Sequence, residues 1–438
     1  MITQQRSNPH YGSPKLIGIK FIIRAQVRHA CPILDIYCPY HCNTPFMFFI
    51  KSQQVIRTRN KKMARTFSLI LATLLMMFPQ IAETIYSPAL SDISHHFAVS
   101  PELAAQTLSL YFLAFAVGVV VWGRMCDVYG RRPTMMAGLL IYAIASLIAL
   151  CVNNFNAILL ARMLAAFGAA VGSVVTQTML RDLFKGLQLA QVFSLMGIAL
   201  AISPAIGMYS GSLLSSHFGY QGVFTGLFVL ALVLLIWAFL ALPETKQAKE
   251  AAAAPLLATA KIMLKDLQIW QVAFLVASFN ICLFAYYSLA PFMFEQLGLS
   301  TRLFGYTGLI LAMGAGVGSI LNKHLLKHGA HSHQLVLLAS VLTILGGIGV
   351  SLLQHSSLFV LPMLLVVTGF GIAIPNILSS ALHAYQDRTG TAGALLGLLY
   401  YLLIGSGLTL AGWSQSLGSV ILICGSLATL ISMQRSST

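Results

Sequence analysis

From residue 67 almost to the C-terminus the chain repeats one pattern. Mostly apolar runs of 19 to 28 residues alternate with short clusters of Gly, Asn, Pro or charge. Such runs match the roughly 20 residues an α-helix needs to cross a hydrocarbon core about 30 Å thick. No water reaches backbone N–H and C=O groups there, so each run is expected to be helical. Twelve spans are predicted: 67–90, 104–122, 134–152, 157–180, 188–215, 222–242, 267–293, 302–322, 334–353, 357–382, 390–412 and 415–433. Turn residues such as Asn153-Asn154 and Gly219 mark the shortest connections. The longest internal connection, 243–266, reads PETKQAKEAAAAPLLATAKIMLKD and leaves six spans on each side. The pattern predicts an all-α polytopic membrane protein of two six-helix halves, 63–242 and 267–438, joined by that linker.

Composition agrees. The 438 residues are 58% hydrophobic and only 8% charged, too little charge to cover a soluble protein of this size. The net charge of +15 raises the question of nucleic acid, but its distribution answers it. Residues 1–62 hold ten Lys/Arg against one acid, Asp35. Of the sixteen Lys/Arg from Met63 onward, fourteen fall on one side of a twelve-span layout. Arg302 lies on the other side, and Arg162 lies inside a span. By the positive-inside rule both termini and the 243–266 linker are cytoplasmic. No nucleic-acid partner is expected; the partner these spans imply is the bilayer.

Residues 1–62 follow no helical or strand period, and PFMFFI is too short to span. At Met63 the chain changes to MARTFSLILATLLMMF, a short basic start before a span. The first sixty-two residues are read as a disordered or spurious extension, with translation beginning at Met63. Cys31, Cys38 and Cys42, with His29 and His41, fit no zinc spacing, and the other four cysteines are dispersed. No metal, cofactor or disulfide framework is expected.

Charge concentrates in GRMCDVYGRRP, residues 123–133, between the second and third spans. Gly123 and Gly130 permit close helix approach and a tight turn. Asp127 can hold a cation or face a neighbouring helix N-terminus. Arg131 and Arg132 suit an anionic leaflet surface.

Glu83 is the only carboxylate well inside a predicted span, and Arg162 is the only basic residue inside one. Counted along their helices, both lie roughly 8–11 Å below the outer surface. They are expected to pair, or to couple through water and the hydroxyls of Thr84 and Tyr86. Burial disfavours a carboxylate's charge and a nearby guanidinium favours it, the opposition a proton-coupled switch needs. Ionisable groups inside membranes are rare and usually functional. Asp92 and Glu295, near the outer surface, are the alternative proton carriers. In the fifth span, Ser203, Pro204 and Gly207 sit in ISPAIG, where proline frees a carbonyl and glycine permits close packing. Tyr86, Tyr111, Phe115, Gln177, Phe193, Asn280, Tyr286, Tyr287 and Phe292 are the residues expected to line a cavity. Stacking and cation–π contact there suit an amphipathic or cationic substrate.

The loop pattern G-x-[LM]-x-D-x-x-G-R-[RK] resembles the cytoplasmic loop signature of the major facilitator superfamily, a fold of paired six-helix halves. LLARMLAAFGAAVG (159–172) resembles the family's fourth-span motif, and ISPAIG its antiporter motif. LPET (242–245) matches a common end to the sixth span. YYSLAPFMFEQLGLS (286–300) and GTAGALLGLL (390–399) resemble the drug:proton antiporters of the Bcr/CflA and multidrug resistance protein D type. The chain departs from the family at Val128, at Ala165-Ala166, and at Thr84, where the acid is displaced to Glu83. The resemblance implies an ISPAIG contact between the halves. It also implies a proton-driven exporter of small amphipathic compounds or drugs in an inner membrane, a monomer working by alternating access with protons and a small-molecule substrate as its partners. The alternatives are a metabolite transporter of the same fold, by export or symport uptake, and a non-transporting receptor. No Walker loop, metal-ligand helix or nucleophile elbow is present, so no enzyme is expected.

Overall fold

The computed structural model describes residues 69–246 and 256–436. The 1–62 segment with its three cysteines, the proposed start at Met63 and the middle of the 243–266 linker lie outside the described residues. Within them the chain forms thirteen α-helices and three short 3-10 turns. The first six are α1 (Leu69–Thr84), α2 (Leu90–His96), α3 (Pro101–Tyr129), α4 (Arg131–Cys151), α5 (Phe155–Leu183) and α6 (Gly186–Ala241). A short α7 (Leu256–Met263) precedes α8 (Leu267–Gln296), α9 (Thr301–Lys327) and α10 (Ser332–Leu353). The chain ends with α11 (Val360–Ser380), α12 (Thr389–Ser414) and α13 (Leu417–Ser436). Caps start several helices where the sequence offers a short polar side chain. Ser100 accepts from the N–H of Leu103, Asn154 from Asn156 and Asp266 from Gln268.

Eleven helical segments are long and apolar enough to cross a membrane. One of them, α6, has 56 residues, which would measure about 84 Å if straight. It is not straight. At Gly219 the backbone takes φ 62° and ψ −165°, a region open essentially to glycine alone. Beyond it the chain folds back, and Gly226 packs against the Leu214 side chain. Counted as two spans, α6 brings the crossings to twelve. Every odd span therefore starts at the end carrying Arg131, Arg181, Lys261 and Lys327, here the basic end, and every even span finishes there. Side chains such as Ile144, Val233, Ile236 and Leu345 stand 46–52% exposed on the flanks, an arrangement suited to hydrocarbon rather than water.

Two sequence expectations need correction, and the linker adds a helix. The first span does not run unbroken over 67–90: α1 stops at Thr84, and a 3-10 turn at Ser87–Ala89 leads into α2. Pro88 has no N–H to give the carbonyl of Thr84, which accounts for the break. The stretch 123–133 is not a loop. Gly123–Tyr129 closes α3, Gly130 alone turns the chain at φ 103°, and α4 begins at Arg131. The linker 243–266 contains α7, whose Met263 and Thr259 are buried.

Two seams join the first six spans to the last six. One runs between α3 and α12, the other between the first limb of α6 and α9. At the end opposite the basic one, polar contacts cross between them. Gln106 Nε2 donates to the carbonyl of Thr409 (3.2 Å) and Arg302 Nη2 to His217 Nε2 (3.0 Å). Ser87 Oγ donates to the carbonyl of Tyr287, and the ring of His95 pairs with Glu295.

Candidate transport site

The break after α1 positions the site. Glu83 sits in the last turn of α1, buried, and Tyr86 follows in the turn itself, fully buried. The first limb of α6 presses on this turn from one side. A Cβ built on Gly207 would overlap Thr84 Oγ1, and one on Gly211 would overlap the carbonyl of Ile85. Only a helix with no side chain at those positions can approach so closely.

From the other side comes α5. Its small residues allow tight packing: Gly168 lies against the backbone of Gly138 and Tyr142, and Gly172 against the carbonyl of Leu75. That packing carries Arg162 into the interior, where it is 1% exposed. Its guanidinium carbon stands 3.9 Å from the ring centroid of Tyr86 and 4.4 Å from that of Tyr111. Both distances are well within cation–π range. Among the described residues, none of its three side-chain nitrogens has a hydrogen-bond partner. The same holds for Glu83 Oε1 and for the hydroxyl of Tyr111. Such unsatisfied groups are normally few in a folded protein, and here they gather around one arginine.

Glu83 and Arg162 form no ion pair with each other, unlike His95–Glu295 and Arg131–Asp182. The expected direct pairing is replaced by stacking, although Arg162 remains the cation acting on Glu83. The second half of the chain closes the cluster. Tyr111 leads to Phe115, whose ring lies 4.9 Å from Tyr401 on α12, and Phe112 lies 4.4 Å from Phe284 on α8. Tyr287 joins through the Ser87 hydroxyl.

The remaining cavity candidates lie apart from this cluster. Gln177 bonds Ser173 (3.2 Å), and Phe193 meets Arg181 (5.8 Å) near the basic end. Asn280 donates to its own helix at Val276 (2.7 Å), and Tyr286 to Thr307 (2.7 Å) within the second half. Phe292 packs with the apolar core of the first six spans. Tyr142, Phe112, Phe284 and Tyr401 were not singled out from the sequence, because nothing in a row of apolar residues says which ring faces inward. Ser203 bonds the carbonyl of Ala199 (2.8 Å) beside Pro204. The motif's Gly207 faces α1 within the same half, while Met208 and Ser212 on that limb meet Gly308 and Gly305 of α9. The contact between halves is thus made by Ala205 of ISPAIG, which also meets Gly308, and by Met208 and Ser212, and not by the motif glycine.

At the basic end GRMCDVYGRRP is knitted into a network. Glu244 Oε1 and Oε2 accept from the N–H groups of Arg131 and Arg132 (both 3.0 Å), capping α4 from the end of the sixth span. The Arg131 guanidinium grips Asp182 at 2.8 Å and the carbonyl of Cys126 at 3.3 Å. Thr245 donates to the same aspartate (2.9 Å). Asp127 is exposed on the last turn of α3. Glu244 and Asp182 were missed as partners because they lie over fifty residues away in sequence. A separate cavity of about 610 Å³ opens near Gln268, Gln271, His333 and Asn376. No member of the Glu83–Arg162 cluster lines it.

Comparison with known proteins fits this geometry. The Major Facilitator Superfamily model matches residues 69–431. An uncharacterized transporter of Rickettsia bellii is 32% identical over 339 residues, covering 74% of this chain and 84% of that protein. The bicyclomycin resistance protein homolog of Haemophilus influenzae is 26% identical, covering 76% and 85%. Multidrug resistance protein D of Escherichia coli is 28% identical over 178 residues, covering 41% and 45%. Among solved structures, the xylose transporter XylE from E. coli in an inward open conformation superposes with a TM-score of 0.66 at 13% identity, covering 84% and 94%. The chain belongs to the major facilitator superfamily, a family of transporters rather than enzymes, and resembles its drug:proton antiporters.

Proposed function

We propose that this protein is a proton-coupled secondary transporter that exports small amphipathic compounds or drugs by alternating access. The observation that carries the reading is the cluster itself: one buried carboxylate and one buried guanidinium, unpaired with each other, inside an aromatic shell drawn from both halves. Glu83 is the proton carrier in this reading and Arg162 tunes it. The turn after α1, held between α6 and α8, is the element through which protonation reaches the contacts that close one end. The basic end faces the cytoplasm of an inner-membrane protein, and the contacts Ser87–Tyr287, His95–Glu295 and Arg302–His217 form the outer closure. Opening to the outside requires those contacts to break as the halves rock. The resistance-protein relatives favour export.

A second reading, movement of a metabolite together with a proton, is favoured by the guanidinium that has no acceptor. The test is proton movement in proteoliposomes on addition of each member of a compound panel. Compound-induced proton flux in the wild type, lost in Glu83→Gln, supports the proposal. Equal flux in both would remove Glu83 from the mechanism and turn attention to Asp92 or Glu295.

A further inference from the structure

We infer that the Arg162 guanidinium receives an acidic head group, a carboxylate or another planar oxyanion, carried on an aromatic or aliphatic body. This deepens the reading of Glu83 and Arg162 as a transport site and rests on it.

Arg162 offers three side-chain nitrogens with no acceptor among the described residues, although it is 1% exposed. The rings of Tyr86 and Tyr111 stack on the same guanidinium, and the Tyr111 hydroxyl is likewise unpartnered. The guanidinium can only donate, and the tyrosine hydroxyl beside it can donate or accept, so the unmet demand around Arg162 is chiefly for an acceptor. A guanidinium presents its N–H groups in a planar fork that matches a carboxylate, and such charge-assisted bonds are about twice as strong as neutral ones. A cation is poorly served by the same site. The ring faces of Tyr86 and Tyr111 that would stack a cationic drug already hold Arg162, and a second positive charge would sit against the first. Phe112, Phe115, Phe284 and Tyr401 provide the apolar wall for the rest of the molecule.

Glu83 sets the condition for entry. If ionised, it competes with the incoming oxyanion for one guanidinium; if protonated, it leaves Arg162 to the ligand. The ionisable groups acting on Glu83 or acted on by it are Arg162 on α5, Tyr111 on α3, Tyr287 on α8 and Tyr401 on α12. The limb of α6 against α1 presents Gly207 and Gly211 there. Tyrosines ionise near pH 10 and arginine stays charged. The carboxylate is therefore the group among these able to change charge at moderate pH, and acid binding is linked to its protonation.

The experiment uses the full chain in detergent and two ligand scaffolds, each as acid, amide and amine. These are 1-naphthoate, 1-naphthamide and 1-naphthylmethylamine, and octanoate with its amide and amine. Affinity is read from ligand-induced shifts in thermal unfolding between about pH 6 and about pH 8. The acids should bind about tenfold tighter than the amides and amines, and more weakly as pH rises. Arg162→Gln should bring the acids to the level of the amides, with Arg162→Lys between. Glu83→Gln should keep acid binding and flatten its pH dependence. Amines binding as tightly as acids, or acid affinity untouched by Arg162→Gln, overturns the assignment. If Arg162→Gln does not fold, the acid-over-amine preference of the wild type and its reduction in Arg162→Lys decide the matter. Acids that bind as expected but move no protons in proteoliposomes would sink the coupling proposed above and leave the head-group assignment standing.

Discussion

At the scale of single residues, the two charged clusters make different demands. In the interior, Glu83→Gln keeps size and hydrogen bonding while removing ionisation. It should abolish uphill, pH-driven transport in vesicles, and Glu83→Asp should retain part of it. At the basic end, Gly130 holds φ 103°, and a Cβ there would meet Glu244 Oε2 at 2.7 Å. Gly130→Ala should therefore lose about 1–3 kcal/mol of stability, read as a lower thermal midpoint. Glu244→Gln keeps the shape but not the charge of a side chain capping two N–H groups. It should cost about 1 kcal/mol and impair transport more than Asp127→Asn, which leaves that cap intact. The reverse order would return the aspartate to the centre of the motif. The motif was legible from its spacing; its partners were not, since only folding brings residues 131, 182 and 244 together.

At the scale of elements, the first limb of α6 is the wedge. One face lies against the broken first span through Gly207 and Gly211, and another against α9 through Met208 and Ser212. A side chain at Gly207 would have to displace Thr84, the residue after Glu83. Gly207→Val is expected to express and insert yet transport at a small fraction of wild-type rate. Because the nearest atoms belong to the Thr84 side chain, Thr84→Gly should partly rescue Gly207→Ala in a double-mutant cycle. Additive effects would show that the two positions do not act through their contact. The break itself was readable in principle, because a proline four residues after Thr84 denies its carbonyl a donor. The apolar run hid it, since hydropathy registers composition and is blind to which backbone groups go unpaired.

For the whole molecule, the contacts at the end opposite the basic one describe a closed door. His95→Ala and Glu295→Gln each remove one side of an exposed pair, worth little to stability. Both should shift the population toward the outward-open form. A cysteine placed at Phe292, buried among residues of the first six spans, should then react faster with a membrane-impermeant reagent added outside. Unchanged labelling would mean the seams of α3 with α12 and α6 with α9 hold the end shut without help. Orientation has its own test. A reporter fused after Gln247 should behave as cytoplasmic, and periplasmic activity there would overturn the assignment of the basic end.

The sequence by itself determined the apolar spans and the side on which the basic residues collect, because hydrocarbon permits few solutions for an apolar backbone. It also singled out Glu83 and Arg162, since an ion inside a span is conspicuous whatever surrounds it. The tertiary structure decided their relation. Packing of small residues on α5 and α6 fixes where each helix can approach α1, and a difference of a few ångströms places Arg162 on two tyrosine rings instead of on Glu83. Periodicity shows that a residue is inward; it takes the crossing of several helices to settle what it meets there.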